Sequence, residues 1–178
     1  DLLLARVDDL GRLLAREEGK TLAEARGEAL RAAQLFHFYA GEVLRNPGEK
    51  LTSIREGVDI DVMREPLGVV GLITPWNFPI AIPAWKAAPA LAAGNAVVLK
   101  PAELTPGCAH VLAEVLEQAG CPPGVFNLVM GKGSEIGAAL VAHPDVAAVS
   151  FTGSERVGRG IALGCAQGMK KVQLEMGG

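Results

Sequence analysis

Six residues of this chain have types and settings that could do chemistry: Asn77, Lys100, Glu103, Gly153, Ser154 and Glu175. A carboxylate such as Glu175 can accept a proton from water when it stands beside an apolar cleft, although a strand-end carboxylate also serves in a salt bridge. Lys100 and Glu103, three residues apart, could bind the vicinal hydroxyls of a ribose or simply pair with each other at a surface for little gain. The stretch Gly153-Ser154-Glu155-Arg156-Val157-Gly158 ends an apolar run and opens a helix-like segment, where main-chain amides face an anion. It lacks the Gly-Lys-Ser/Thr ending of a triphosphate loop, so ATP chemistry is not indicated. Asn77, between Trp76 and Phe78-Pro79, carries an amide that needs partners if buried, or that caps a turn. A further glycine cluster, Gly131 to Gly137, has one residue too many in its last interval for G-x-G-x-x-G, and turn chemistry is its simpler explanation.

These groups need elements to hold them. Leu2, Leu3, Val7, Leu10, Leu13 and Leu14 recur at helical spacing, as do Leu22, Ala25, Ala29, Ala32, Ala33 and Phe36. Two helices are expected, divided near Gly19-Lys20-Thr21, with Thr21 and Glu24 as a capping box and a stop near Asn46-Pro47-Gly48. From Leu51 to Arg55 and Val58 to Arg64 the period changes to two around Glu56-Gly57, which predicts a hairpin. Beyond Pro66, short apolar runs (68–73, 96–99, 125–129, 147–151 and 172–174) alternate with helix-like stretches (83–93, 105–119, 134–142 and 155–166). That alternation predicts an α/β fold with a parallel sheet covered on both faces. In such a sheet ligands gather at the carboxyl ends of the strands, and the candidate residues follow the apolar runs.

Composition removes other classes. A chain of 178 residues with a hydrophobic fraction of 49% supports a folded domain, and a net charge of −3 gives no basic face for nucleic acid. The most apolar stretch, Pro79 to Ala93, is interrupted by Pro83, Lys86 and Pro89 and is too short to cross a bilayer. Cys108, Cys121 and Cys165 have neither Cys-x-x-Cys spacing nor paired histidines, so no metal site or disulfide framework is expected and a reducing cytoplasm fits best. Each is expected to be a small buried or half-buried apolar residue.

Four words stand in order: Thr74-Pro75-Trp76-Asn77-Phe78-Pro79, Lys100-Pro101-Ala102-Glu103, Phe151-Thr152-Gly153-Ser154 and Leu174-Glu175-Met176-Gly177-Gly178. Together they resemble the coenzyme-binding half of the NAD(P)-dependent aldehyde dehydrogenases, over essentially the whole chain, with wording most similar to semialdehyde dehydrogenases. The resemblance implies a Rossmann-like fold with a protruding hairpin: N-terminal helices over 1–50, a bridging hairpin over 51–66 and an NAD(P)-binding domain over 67–178. It implies that Asn77 donates its amide to an oxyanion and that Glu175 is the general base. Lys100 and Glu103, with Pro101 and Ala102, would hold the adenosine ribose, and Gly153 and Ser154, after Phe151 and Thr152, would meet the pyrophosphate. Val157 would pack on adenine, Ile73, Thr74, Pro75 and Trp76 would line the cofactor channel, and Met176 joins the cofactor contacts. NAD is the expected cofactor, with NADP the alternative, because an acidic Glu103 repels an added phosphate.

In that family a cysteine thiolate attacks the aldehyde, hydride leaves to the nicotinamide, and the thioester is hydrolysed. No Gly-Gln-x-Cys word is present here, and all three cysteines precede Glu175. The expectation is therefore a piece of a larger enzyme, missing sequence on both sides and unable to oxidise aldehydes alone. The alternative is a stand-alone, non-catalytic module that binds a nucleotide or a partner; Glu175 argues against a relative that releases its thioester to phosphate. The parent would act on a small-molecule aldehyde. Since the hairpin edge would want a partner strand, a homo-oligomer is expected.

Overall fold

The computed structural model describes residues 1–177; Gly178, the end of the last word, lies outside the described residues. The N-terminal region holds α1 (Leu2–Ala5), α2 (Val7–Glu18) and α3 (Leu22–Glu42), followed by a 3₁₀ turn (Val43–Arg45). The first expected helix is thus two, because the Arg6 amide bonds back to Leu3 O, a tight closure that ends the first turn. Gly19 closes α2 at φ +90°, a conformation that suits glycine. Thr21 then starts α3 with a reciprocal box: Thr21 Oγ1 accepts from the Glu24 amide at 3.3 Å, and the Glu24 carboxylate accepts from the Thr21 amide at 3.1 Å.

A two-stranded antiparallel ribbon follows, β1 (Glu49–Thr52) and β2 (Asp59–Val62), with Glu49 opposite Val62 and every residue exposed. These strands are shorter than the alternation predicts. Ser53 Oγ accepts from the Arg55 amide at 3.0 Å and opens a wide turn, a local bond that competes with the ladder.

The main sheet comprises β3 (Val69–Ile73), β4 (Ala96–Lys100), β5 (Phe126–Leu128), β6 (Val146–Gly153) and β7 (Lys171–Met176). All pairings are parallel, in the order β5-β4-β3-β6-β7. The first strand of this sheet is its centre. The chain builds outward through β4 and β5, then returns to add β6 and β7 on the other side, which makes the β3/β6 boundary a topological switch point.

Between the strands run α4 (Ala81–Ala92), α5 (Pro106–Gln118), α6 (Ala138–Ala142) and α7 (Glu155–Gln167). On one face, α6 and α7 cover Ile73, Val149 and Phe151 with Leu140, Val141 and Ile161. On the other, Ala87 of α4 and Ala109 of α5 pack on Val70, Leu72, Val97 and Leu99. Outside α4 and α5 lies an additional layer made of α1 to α3. Its Leu10, Leu14, Ala25, Ala29 and Ala32 meet Ile80, Ala84, Cys108 and Leu112. The alanine stripe of α3 lets two helices approach closely, and each fully buried leucine contributes about 1.5–3 kcal/mol.

Several boundaries depart from the sequence expectation in ways that matter for the site. Lys100 is the last residue of β4, and β6 runs on through Thr152 and Gly153, so these residues are strand ends rather than loop. The expected helix over 134–142 opens with a wide π-turn (Gly133–Gly137).

Candidate functional site

The strand registers bring the candidate residues onto one edge. Ile73 stands opposite Lys100 on one side and Phe151 on the other; Thr152 faces Glu175, and Gly153 faces Met176. The Thr74 amide donates to Lys100 O at 3.2 Å, extending the β3–β4 ladder by one bond past the strand. The words therefore share the carboxyl rim of a single sheet, flanking the switch point.

At the β4 end, the Lys100 side chain is only 4% exposed and its ammonium lies 3.8 Å from the Glu103 carboxylate. Burial lowers the Lys100 pKa, and the opposing attraction of Glu103 restrains the fall. A buried ammonium with one distant carboxylate differs from a solvated surface pair. Pro101 is buried and Ala102 half-buried beside it. The Gly133 amide donates to Glu103 Oε2 at 3.1 Å, so the glycine-rich turn after β5 leans on this pair. Gly131, at φ +145°, supplies the unusual backbone that this turn requires. Nearby, Thr74 Oγ1 is buried without a hydrogen-bond partner among the described residues.

At the β6 end, Ser154 is the N-cap residue of α7, yet its side chain makes no capping bond. The first amides of a 13-residue helix thus point from the rim without a side-chain acceptor. Phe151 packs beneath Gly153, and Met176 Sδ lies against Gly158. Val157 is exposed on the first turn of α7, as are Trp76 on the β3–α4 loop and Met176 at the end of β7.

Asn77 is exposed, so its amide does not need a buried partner. Its main-chain carbonyl, rather than its side chain, is held: Lys20 Nζ donates to it at 3.0 Å. Pro75 is half-buried just before it.

Glu175 opens onto a cleft of about 610 Å³ bounded by Ile82, Trp85 and Lys86 of α4, Thr152 of β6 and Gln173 of β7. Spacing alone did not reveal the polar chain that reaches it. Lys86 Nζ donates to Ser150 Oγ at 2.7 Å, Ser150 Oγ donates to Gln173 Oε1 at 2.6 Å, and Gln173 Nε2 donates to Glu175 Oε1 at 3.1 Å. Burial pulls Lys86 down to about 8, with the charge of Glu175 acting in the opposite sense. The only available signal was a lysine within the apolar stretch 79–93. Cys108 and Cys165 are fully buried with pKa raised chiefly by desolvation, and Cys121 is half-buried. No cluster of metal-ligating side chains occurs among the described residues. Nor is any described helix long and apolar enough to cross a membrane.

The aldehyde dehydrogenase family model matches residues 1–178. The chain belongs to the aldehyde dehydrogenase family. It is 48% identical over 179 residues to an alpha-ketoglutaric semialdehyde dehydrogenase of Bacillus subtilis, covering 100% of this chain and 36% of that protein. A crystal structure of an aldehyde dehydrogenase from Brucella melitensis biovar abortus superposes with a TM-score of 0.98 at 46% identity, covering 100% of this chain and 37% of that one. A betaine aldehyde dehydrogenase of Staphylococcus aureus, determined in complex with NAD+, superposes with a TM-score of 0.97 at 37% identity over 99% of this chain and 35% of its own. The chain thus spans little more than a third of the length of these aldehyde dehydrogenases.

Proposed function

We propose that this chain is the cofactor-holding part of an NAD(P)-dependent aldehyde dehydrogenase acting on a semialdehyde. The observation that carries this reading is the shared rim: a buried ammonium, a carboxylate, and the uncapped start of α7 flank one switch point. That donor set fits a dinucleotide. Lys100 and Glu103 suit the diol of a ribose, and the α7 amides with the Ser154 hydroxyl suit a pyrophosphate. Thr74 Oγ1, buried without a partner among the described residues, is a further polar atom at the end of β3 beside this rim. When bound, the nicotinamide accepts hydride from the aldehyde carbon.

In this reading Asn77 presents its side-chain amide to the developing oxyanion, and Glu175 takes a proton from water at the edge of its cleft. Val157 and Met176 offer apolar contact to the adenine side. NAD is preferred because Glu103 disfavours an added phosphate. The semialdehyde class is supported by the Bacillus subtilis relative. The exposed apolar residues Leu51, Ile60 and Val62 support a role for the hairpin in association with a second copy.

The chain alone is proposed to hold cofactor without oxidising aldehyde, because its two buried thiols are driven toward the protonated form and neither lines the cleft. Calorimetric titration with NAD and NADP tests the reading. Saturable binding weakened by both Lys100→Ala and Ser154→Ala supports it; binding indifferent to both substitutions sinks it. Turnover of succinic semialdehyde with NAD by the purified 178-residue chain would refute the inactivity.

A further inference from the structure

The β3–α4 loop that carries Asn77 is fastened from outside the nucleotide-binding sheet. Glu28, in the second turn of α3, has a side chain only 2% exposed and is the sole acidic group buried in the described core. Its Oε1 accepts from the amides of Ile80 and Ala81 at 3.0 and 3.1 Å, which are the first donors of α4. A carboxylate at a helix N-terminus satisfies orphan amides and meets the positive end of the dipole. Its Oε2 accepts from Lys20 Nζ at 2.5 Å. Lys20 in turn donates to Asn77 O at 3.0 Å and lies 4.4 Å from the centre of the Phe78 ring. Glu18, with a side chain 12% exposed, stands 3.4 Å from the same ammonium.

The bonds that Lys20 and Glu28 make outside their own pair end at Asn77, Ile80 and Ala81, within four residues of Asn77, and burial makes each charge costly unless paired. A single hydrophobic contact would pack α3 on α4 without fixing the main chain at Asn77. A buried ionic brace specifies one arrangement of it.

We propose that Lys20 and Glu28 are positioning residues for Asn77: Glu28 anchors the start of α4, and the lysine it holds sets the Asn77 carbonyl and the Phe78 ring, aiming the Asn77 amide. The N-terminal helices are then part of the site. This rests on the aldehyde dehydrogenase reading for its chemical purpose, since Asn77 acts there on an oxyanion.

The test uses the whole chain in a Trp85→Phe background, where Trp76, next to Asn77, is the only indole. Lys20→Met is expected to raise acrylamide quenching of Trp76 by about twofold or more through local opening of the loop. Lys20→Arg, which keeps the charge and donor, is expected to restore the parent value. Glu28→Gln keeps an acceptor oxygen for Ile80 and Ala81 but loses the charge that holds Lys20, so it should loosen Trp76 as well; it also carries the test if Lys20→Met does not fold. Trp76 quenching that stays at the parent value in folded Lys20→Met and Glu28→Gln chains overturns the proposal, as does failure of Lys20→Arg to rescue. NAD titration of the same proteins separates the two readings: saturable binding by the parent supports the cofactor reading, and weaker NAD binding is expected in the loosened variants because Trp76 lines the proposed channel. Loosening in a parent chain that binds no NAD leaves the brace standing and removes the aldehyde dehydrogenase reading.

Discussion

Lys86 on α4 donates to Ser150 Oγ on β6 at 2.7 Å, tying the helix that follows the Asn77 loop to the strand that carries the Thr152-Gly153 word. The bond crosses the cleft under Glu175 and continues through Gln173, so a cation, a hydroxyl and an amide stand in series behind the proposed base. The cost of this arrangement is a buried ammonium, and the cost has a pH signature.

Lys86 is lowered from 10.5 to about 8 in the folded chain. Between those values the unfolded chain binds more protons than the folded one, so the Lys86 contribution to stability rises with pH across that window. Below pH 8 both states carry the proton, and the folded state bears the full desolvation cost. Urea unfolding of the parent and of Lys86→Met, followed from pH 7 to 10, should show the parent gaining on the variant as pH rises. A stability difference independent of pH would contradict the depressed value.

Gly153 and Gly27 should respond oppositely to alanine. A Cβ on Gly153 would lie 2.5 Å from Phe151 Cζ and 3.0 Å from Cε2, and the ring has a core cluster behind it. Gly153→Ala is expected to cost about 1–3 kcal/mol by overpacking. Gly27 is within α3 with nothing inside 4 Å of its missing Cβ, so Gly27→Ala should add about 0.5–1 kcal/mol. Paired chemical denaturation measures both, and a stabilised Gly153→Ala would mean that Phe151 is not seated beneath the rim.

Glu17 of α2 bridges the layers at a second helix start. Its carboxylate accepts from the Gly107 and Cys108 amides at 2.6 and 3.0 Å, taking the place of a side-chain cap on α5, whose own N-cap residue Thr105 makes none. Glu17→Ala should cost about 1–2 kcal/mol, read from the urea midpoint. NAD affinity should fall far less than in Lys100→Ala, because Glu17 bonds to Gly107 and Cys108 and to none of the proposed cofactor residues.

Glu103 couples the two candidate ribose contacts to the glycine-rich turn through its bond from the Gly133 amide. Glu103→Gln should weaken NAD binding by about tenfold, the worth of one charge-assisted hydrogen bond, and should narrow the margin between NAD and NADP. Parallel calorimetric titrations measure both effects; an unchanged margin would remove Glu103 from the account of cofactor preference.

The sequence discloses the layered α/β architecture because its central strands β3 and β4 are nearly uninterrupted apolar runs, as burial on both faces requires. Thr21 and Glu24 announce their capping box because it is local in the chain. The expected helix over 83–93 begins at Ala81 instead, since the group that caps it, Glu28, is 52 residues from Ile80 in sequence. The Lys86–Ser150–Gln173 chain stayed hidden for the same reason: its members are ordinary polar residues until the β6–β7 register sets Ser150 opposite Gln173. For Asn77 the sequence leaves burial open, and the exposure of its neighbours decides it: Trp76 and Phe78 are themselves half exposed. Local grammar thus discloses elements and rim, while the long-range polar contacts arise only from the fold.

The central claim is that the ends of β3, β4 and β6 form one dinucleotide site. Amide chemical-shift mapping of the chain during NAD titration addresses it most directly. The account predicts that perturbations concentrate at Thr74, Lys100, Glu103, Gly133, Ser154 and Val157 with a common saturation curve. Shifts confined to other surfaces, or rim residues that saturate at different NAD concentrations, would contradict it.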